Sequence, residues 1–300
     1  MTRARDLADS ADKDITGTLT LDGLTVAGNV SVDSGTVKLD GNYPTGSNNV
    51  ALGDQALDDG SLSGSNLTAI GHVALTANTS GSSNTAVGSN ASTANTTGAD
   101  NVAMGVSALG SNTTGSSNTA FGRSALVSNT TADQNTAVGY QALTANTTGA
   151  NNTAMGKSAL GSNTTGTQSV AVGVGAVEDT TTGTNLTGVG FKALHQNTTG
   201  NYNVALGHSA LEANTTATEN TAVGYHAGLN TTTGSYNTYV GGYAGRDATT
   251  GAANTAVGYG AMFDGVVTGS NNTAVGSVAM EELTSGSNNV GIGREALKNN

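Results

Sequence analysis

Apolar residues recur along most of this chain with a period of seventeen, far longer than the period of a helix or a strand. A Gly closes each short run of the type NTAVG, at Gly53, Gly71, Gly88, Gly105, Gly122, Gly139, Gly156, Gly173, Gly190, Gly207, Gly224, Gly241, Gly258, Gly276 and Gly293. Every step between these glycines is 17 residues except Gly53 to Gly71 and Gly258 to Gly276, which are 18. Each Gly is preceded by an apolar residue, such as Leu52, Ile70, Val87, Phe121 or Ile292, and followed three places later by Ala, from Ala56 to Ala296. The next position is usually Leu, as at Leu57, Leu109, Leu143 and Leu194. Four places before the Gly stands Asn in twelve of the fifteen units, the exceptions being Leu67, Ser169 and Leu186. Most units end in NTTG or a relative of it.

A unit of this length holds two short β-favouring runs, NTAVG and YQAL in residues 135–143. Both are too short for helices, and the Thr, Gly and Asn around them oppose helix. The pattern predicts one coil of a parallel β-roll (β-solenoid) per unit, with successive coils stacked as parallel strands. Gly supplies the positive φ of a sharp corner. At a strand spacing of about 4.8 Å, fifteen coils make a rod on the order of 70 Å long. About three apolar side chains per coil are expected to point inward, few against the entropy of ordering seventeen residues. The Ala stripe is therefore expected to pack against copies of the chain around a shared axis, the alternative being that Ala fills a tight corner of its own coil. The Asn column, represented by Asn84, Asn101, Asn118, Asn135 and Asn152, is expected to form a structural ladder of stacked amides, with Thr stacking more weakly. The same Asn residues also suit local turns.

The first forty residues break the period. Ile15, Leu19, Leu21, Leu24, Val26, Val30, Val32, Val37 and Leu39 alternate with polar residues between Gly23, Gly28 and Gly35, which predicts short strands with tight turns. Solenoids need caps, because an open end exposes ladder groups. Two parts follow: 1–47, an N-terminal anchor or cap, and 48–300, the repeat β-roll. NYPTGSNN, with the single Pro of the chain, forms their junction.

Composition sharpens the picture. Only 10% of the 300 residues are charged and 4% aromatic, with 44 Gly and no Cys. An ordinary globular core is hard to build from this, and disulfides and thiolate metal sites are excluded. Disorder is not favoured either, since charge and Pro are both low. A net charge of −11, with no basic cluster beyond Arg3 and Arg5, argues against nucleic-acid binding. The start, MTRARDLADS, lacks the apolar stretch of a secretory signal, and no run reaches the ~18 apolar residues that cross a bilayer, so no membrane insertion is expected.

Candidate chemistry is sparse, and no catalytic, cofactor or metal residue is assigned. The His residues 72, 195, 208 and 226 occupy three repeat columns, and His72 and His208, which share one, lie eight coils apart. The acidic pairs Asp58–Asp59, Glu178–Asp179 and Glu281–Glu282 sit in turns, where solvation explains them better than a weak cation site between chains. Asn-x-Thr sequences at Asn95, Asn112 and Asn146 are a by-product of the repeat. The tyrosines are the more promising group. Tyr202, Tyr225, Tyr236, Tyr243 and Tyr259 cluster late in the chain and suit stacking on sugar rings beside Asn and Thr; Tyr239 falls in the same region. The alternative is that they cover the edges of a thin fold.

The unit NTAVGYQALTANTTG, repeated over roughly Asn48 to Lys298, resembles the head repeats of trimeric YadA-like adhesins and, more closely, the repeats of phage tail fibres. The resemblance implies a left-handed β-roll, a homotrimer, and attachment to a host surface glycan or protein. The N-terminus, similar to that of fibre proteins of marine phages, would then dock on a virion attachment protein, with the shaft as a tail or capsid appendage. A purely structural spacer or capsid decoration is the alternative, and a surface-polysaccharide depolymerase is a weaker one. The stalk and membrane barrel of YadA-like adhesins and the self-cleaving chaperone of many fibres have no counterpart in these residues.

Overall fold

The computed structural model describes residues 46–298; the anchor expected over 1–47 lies almost wholly outside them. Fifteen strands of three residues each, from β1 (Val50–Leu52) to β15 (Val290–Ile292), form one parallel sheet in chain order, with no helix among the described residues. Each strand pairs with its equivalent in the next coil, as in Thr136↔Thr153, Ala137↔Ala154 and Val138↔Met155. The two 18-residue units keep this register, Val50 facing Thr68 and Thr255 facing Thr273, so the extra residue is absorbed in the turns. The expected parallel β-solenoid is therefore present, with coils about 17 residues apart.

Each coil carries one strand rather than two. Residues 140–143, YQAL, form turns, because Gln141 and Leu143 both take left-handed φ, 57° and 50°. Such a conformation costs an L-residue roughly 1–2 kcal/mol. It recurs at Leu109, Leu126, Leu160, Leu194 and Leu211, with φ between 50° and 54°. Two gains hold it in place. The Leu amide donates to the next coil, as Leu143 N to Ala159 O at 3.0 Å, and the Leu side chain is fully buried. The Gly closing each strand has φ near 120–140°, as expected of the corner. A Cβ on Gly139 would stand 2.5 Å from the Gly156 carbonyl oxygen, so close stacking of the coils also requires Gly.

Two expectations about the core are corrected. The Ala three places after the Gly does not face a partner chain: Ala74, Ala91, Ala108 and their equivalents to Ala279 are fully buried inside their own chain. The core consists of this Ala, the middle Ala of the strand, and the Leu, as in Ala142, Ala137 and Leu143. Conversely, the apolar residue before the Gly does not point inward. None of the fifteen is buried, and Leu52, Phe121 and Ile292 are more than half exposed, at 53%, 53% and 70%. Strand alternation gives the reason. The middle Ala faces in, so the residues on both sides of it face out.

The largest departure from the pattern is at Tyr239, which replaces the middle Ala and is fully buried, between Ala222 and Ala256 of the flanking coils. The room comes from the Leu column, where Gly228 and Gly245 stand instead of Leu. A Cβ at Gly245 would lie 2.3 Å from the Tyr239 ring, and one at Gly228 2.6 Å. Burial pushes the Tyr239 phenol pKa well up. Its hydroxyl is directed at Thr231 without a hydrogen bond of ordinary geometry.

The polar columns form two Asn ladders. In the predicted one, Asn101 N donates to Asn84 Oδ1 at 2.9 Å, and the same bond joins Asn118 to Asn101, Asn135 to Asn118 and Asn152 to Asn135. Its Nδ2 groups reach backbone carbonyls, as Asn135 Nδ2 to Gly149 O at 2.9 Å. It is a ladder of amide to backbone. The ladder of amide to amide is built from the Asn of NTTG. Asn95 Nδ2 donates to Asn78 Oδ1, and the chain of bonds continues through Asn112, Asn129 and Asn146 to Asn163 at 2.8–3.0 Å. The neighbouring Thr column adds a third series, such as Thr96 Oγ1 to Thr113 O at 3.0 Å. Full burial of Asn95, Asn112 and Asn146 also closes their glycosylation-type sequences to modification in the folded chain.

Candidate binding surface

The outer face of the sheet carries the apolar column beside each Gly. On the other side of the Gly, some coils add a second exposed apolar residue: Val106, Tyr140, Val174, Phe191, Tyr225 and Tyr259 are 44–62% exposed. Both columns follow from the fold. The Gly corner turns the chain, and the side chains before and after it stay outside. The first column is repeated in every coil and makes a continuous stripe along the sheet, unlike the scattered apolar residues of an ordinary surface.

The predicted tyrosine contacts separate into two groups. Tyr225, Tyr243 and Tyr259 enter a ladder of rings with Phe191, His208, His226 and Phe263. Ring centroids are 5.0 Å apart from Phe191 to His208 and 5.3 Å from His208 to Tyr225, while His226 stacks on Tyr225 at 3.8 Å. Tyr243 meets the edges of Tyr225, Tyr259 and Phe263 at 5.3–5.8 Å. Arg246 covers Phe263 at 3.8 Å and pairs with Asp247 and, at 3.5 Å, Asp264. The rings of this ladder thus touch one another, while Phe191, Tyr225 and Tyr259 keep 45–62% of their surface exposed. Desolvation, and next the neighbouring His208, lower the His226 pKa, while Glu212 opposes the shift.

Tyr202 and Tyr236 lie apart from the ladder, in the corner that precedes the strand. They are 58% and 59% exposed and make no ring contact among the described residues. Tyr239, in the same stretch, is buried and unavailable to any ligand. The repeat columns already separate these tyrosines, Tyr202 and Tyr236 in one, Tyr225 and Tyr259 in another and Tyr239 in the middle-Ala column. Which column is buried was not readable from them, although the coincidence of Tyr239 with two missing leucines was a readable signal.

Several of the charged groups have local partners. Glu281 pairs with Lys298 at 2.9 Å, Glu178 lies 3.6 Å from His195, and Asp59 Oδ1 accepts from Ser61. The Ser61 hydroxyl and amide accordingly lower the Asp59 pKa. His208 and His226, from different sequence columns, have ring centroids 5.5 Å apart, while His72 stands beside Asp54. No group of three or more His, Asp or Glu side chains has metal-binding geometry among the described residues. No protein-family model matches the chain, and no curated protein matches it in sequence.

Proposed function

We propose that this chain is a non-enzymatic structural shaft that assembles as a homotrimer, its left-handed coils packing through the apolar stripe. In this reading it forms a rigid appendage of a phage-like virion, carried by its N-terminal segment and presenting its flank to a host-cell surface. The observation that supports it is the apolar column Leu52 to Ile292, with no buried member in fifteen coils. Such a stripe on an isolated rod invites indiscriminate association, and packing against two further copies removes it from water. The resemblance of the repeat to fibre proteins supplies the virion setting. A purely structural spacer is the second reading, favoured by the mutual stacking of Tyr225, Tyr243 and Tyr259, which leaves fewer ring faces for a receptor.

Mass photometry of the full chain tests the assembly. Three chains per particle are expected, and Val138→Lys combined with Val223→Lys should yield monomers that keep their circular dichroism. A wild-type chain that stays monomeric at micromolar concentration would sink the trimer. Binding of the labelled shaft to whole host cells separates attachment from spacing.

A further inference from the structure

Tyr202 and Tyr236 share one column of the repeat, and the residue between them in that column is Glu219. All three occupy the left-handed corner before the strand, with φ of 57°, 58° and 64°. Their amides make the same bond to the preceding coil, Tyr202 N to Thr184 O, Glu219 N to Asn201 O and Tyr236 N to Thr218 O, each 3.1 Å. The three side chains therefore leave successive rungs at equivalent positions. Elsewhere this column holds small or polar residues, such as Ser117, Gln134, Asn151, Asn185 and Ala253. An open groove of about 490 Å³ lies here, lined by Tyr202, Glu219 and Thr221. Glu219 is exposed and makes no ion pair among the described residues.

We propose that Tyr202, Glu219 and Tyr236 form a binding slot for a quaternary ammonium group. The rungs that carry the two tyrosines stand on the order of 10 Å apart, two strand spacings. A cation centred over Glu219 is then about 5 Å from each ring, within the ~6 Å at which an aromatic face attracts a cation. That width suits a bulky trimethylammonium, which can touch both rings at once. A primary ammonium is smaller and holds its water more tightly, so it gains less from two exposed faces. The unpaired carboxylate supplies the counter-charge, and the net charge of −11 raises the local concentration of cations. The ladder rings are poorer candidates: Tyr225 is stacked on His226, Arg246 covers Phe263, and the exposed Tyr259 has Gly242 and Ser277, neither a carboxylate, at the equivalent positions of the adjoining coils. The slot is complete in one chain and is independent of the assembly and virion reading. It differs from sugar stacking in requiring the ligand's charge.

Calorimetric titration of the full chain with choline tests the slot, with 3,3-dimethyl-1-butanol as the uncharged isostere. Choline should bind and the isostere should not. Tyr202→Ala and Tyr236→Ala should each weaken choline about two- to fivefold, the loss of one exposed cation–π contact. Glu219→Gln should weaken it by up to about fivefold. Co-sedimentation with phosphatidylcholine vesicles, against phosphatidylglycerol vesicles, identifies the source: binding assigns a membrane headgroup, and choline binding without it assigns a free or flexibly tethered group. Absence of choline binding, equal binding of the isostere, or unchanged affinity in all three variants with intact circular dichroism would overturn the proposal.

Discussion

At the scale of single residues, stability rests on how small side chains are matched between coils. Tyr239 fits because Gly228 and Gly245 vacate the Leu column around it. Tyr239→Ala should cost about 3–5 kcal/mol, as for other large aromatic truncations that leave a cavity. Adding Gly228→Leu and Gly245→Leu to that variant should recover most of the loss, since Leu elsewhere in the column accepts the same left-handed backbone. Chemical denaturation of the single and triple variants measures both steps. A second site is a gap in the amide ladder. Thr180 interrupts it, leaving Asn163 Oδ1 buried without a partner, while Asn197 Nδ2 reaches the Thr180 hydroxyl at 2.7 Å. Thr180→Asn would supply the missing donor and keep the acceptor. A gain of about 1 kcal/mol is expected in the same assay.

At the scale of the coil, the structure is close to one-dimensional, each strand pairing only with its two neighbours. Removing one whole period, residues 135–151, should leave the circular dichroism unchanged and lower the unfolding temperature only slightly. Removing nine residues from the same stretch brings Asn152 to the place of the buried Leu143, and should unfold the adjoining coils. Limited proteolysis distinguishes the two outcomes. The ring ladder gives coils 9–13 a titratable element. The folded His226 pKa is depressed, so the unfolded chain binds the proton more readily as pH falls below the ordinary His value near 6.5. The contribution of His226 is thus present above that value and lost as pH drops through the folded pKa. Unfolding temperature should fall between about pH 7 and pH 5 more in the wild type than in His226→Phe, which keeps a ring but cannot titrate.

At the scale of the molecule, the notable feature is what the coil leaves outside. Its interior holds one large apolar side chain per turn beside two alanines, and a second apolar column remains in water. In the proposed assembly that column would be removed from water, while the Ala and Leu core is already closed within one chain. The same logic predicts which substitutions act where. Charges placed at Val138 and Val223 should change subunit number while leaving the single-chain ladders intact. Charges placed at Leu143 or Ala142, both fully buried, should unfold the coil itself.

The period, with its short apolar runs and the Thr, Gly and Asn that oppose helix, determined the parallel stack, the one-coil-per-unit count and the Gly corner, because such units bury their apolar groups by stacking equivalent positions. It also located the Asn column as structural. The direction of each side chain was not contained in the period. Both the Ala three residues after the Gly and the Val just before it are apolar and invariant in kind, yet one is buried and the other exposed. Left-handed turns at Leu and the inward-facing middle Ala settled that, and both arise only when neighbouring coils supply hydrogen bonds for a backbone that an isolated segment would avoid. For the same reason the columns that hold the tyrosines did not say which of them face inward. Only stacking of the coils showed them as a buried ring, a ladder of touching rings, and an exposed pair one rung either side of a carboxylate.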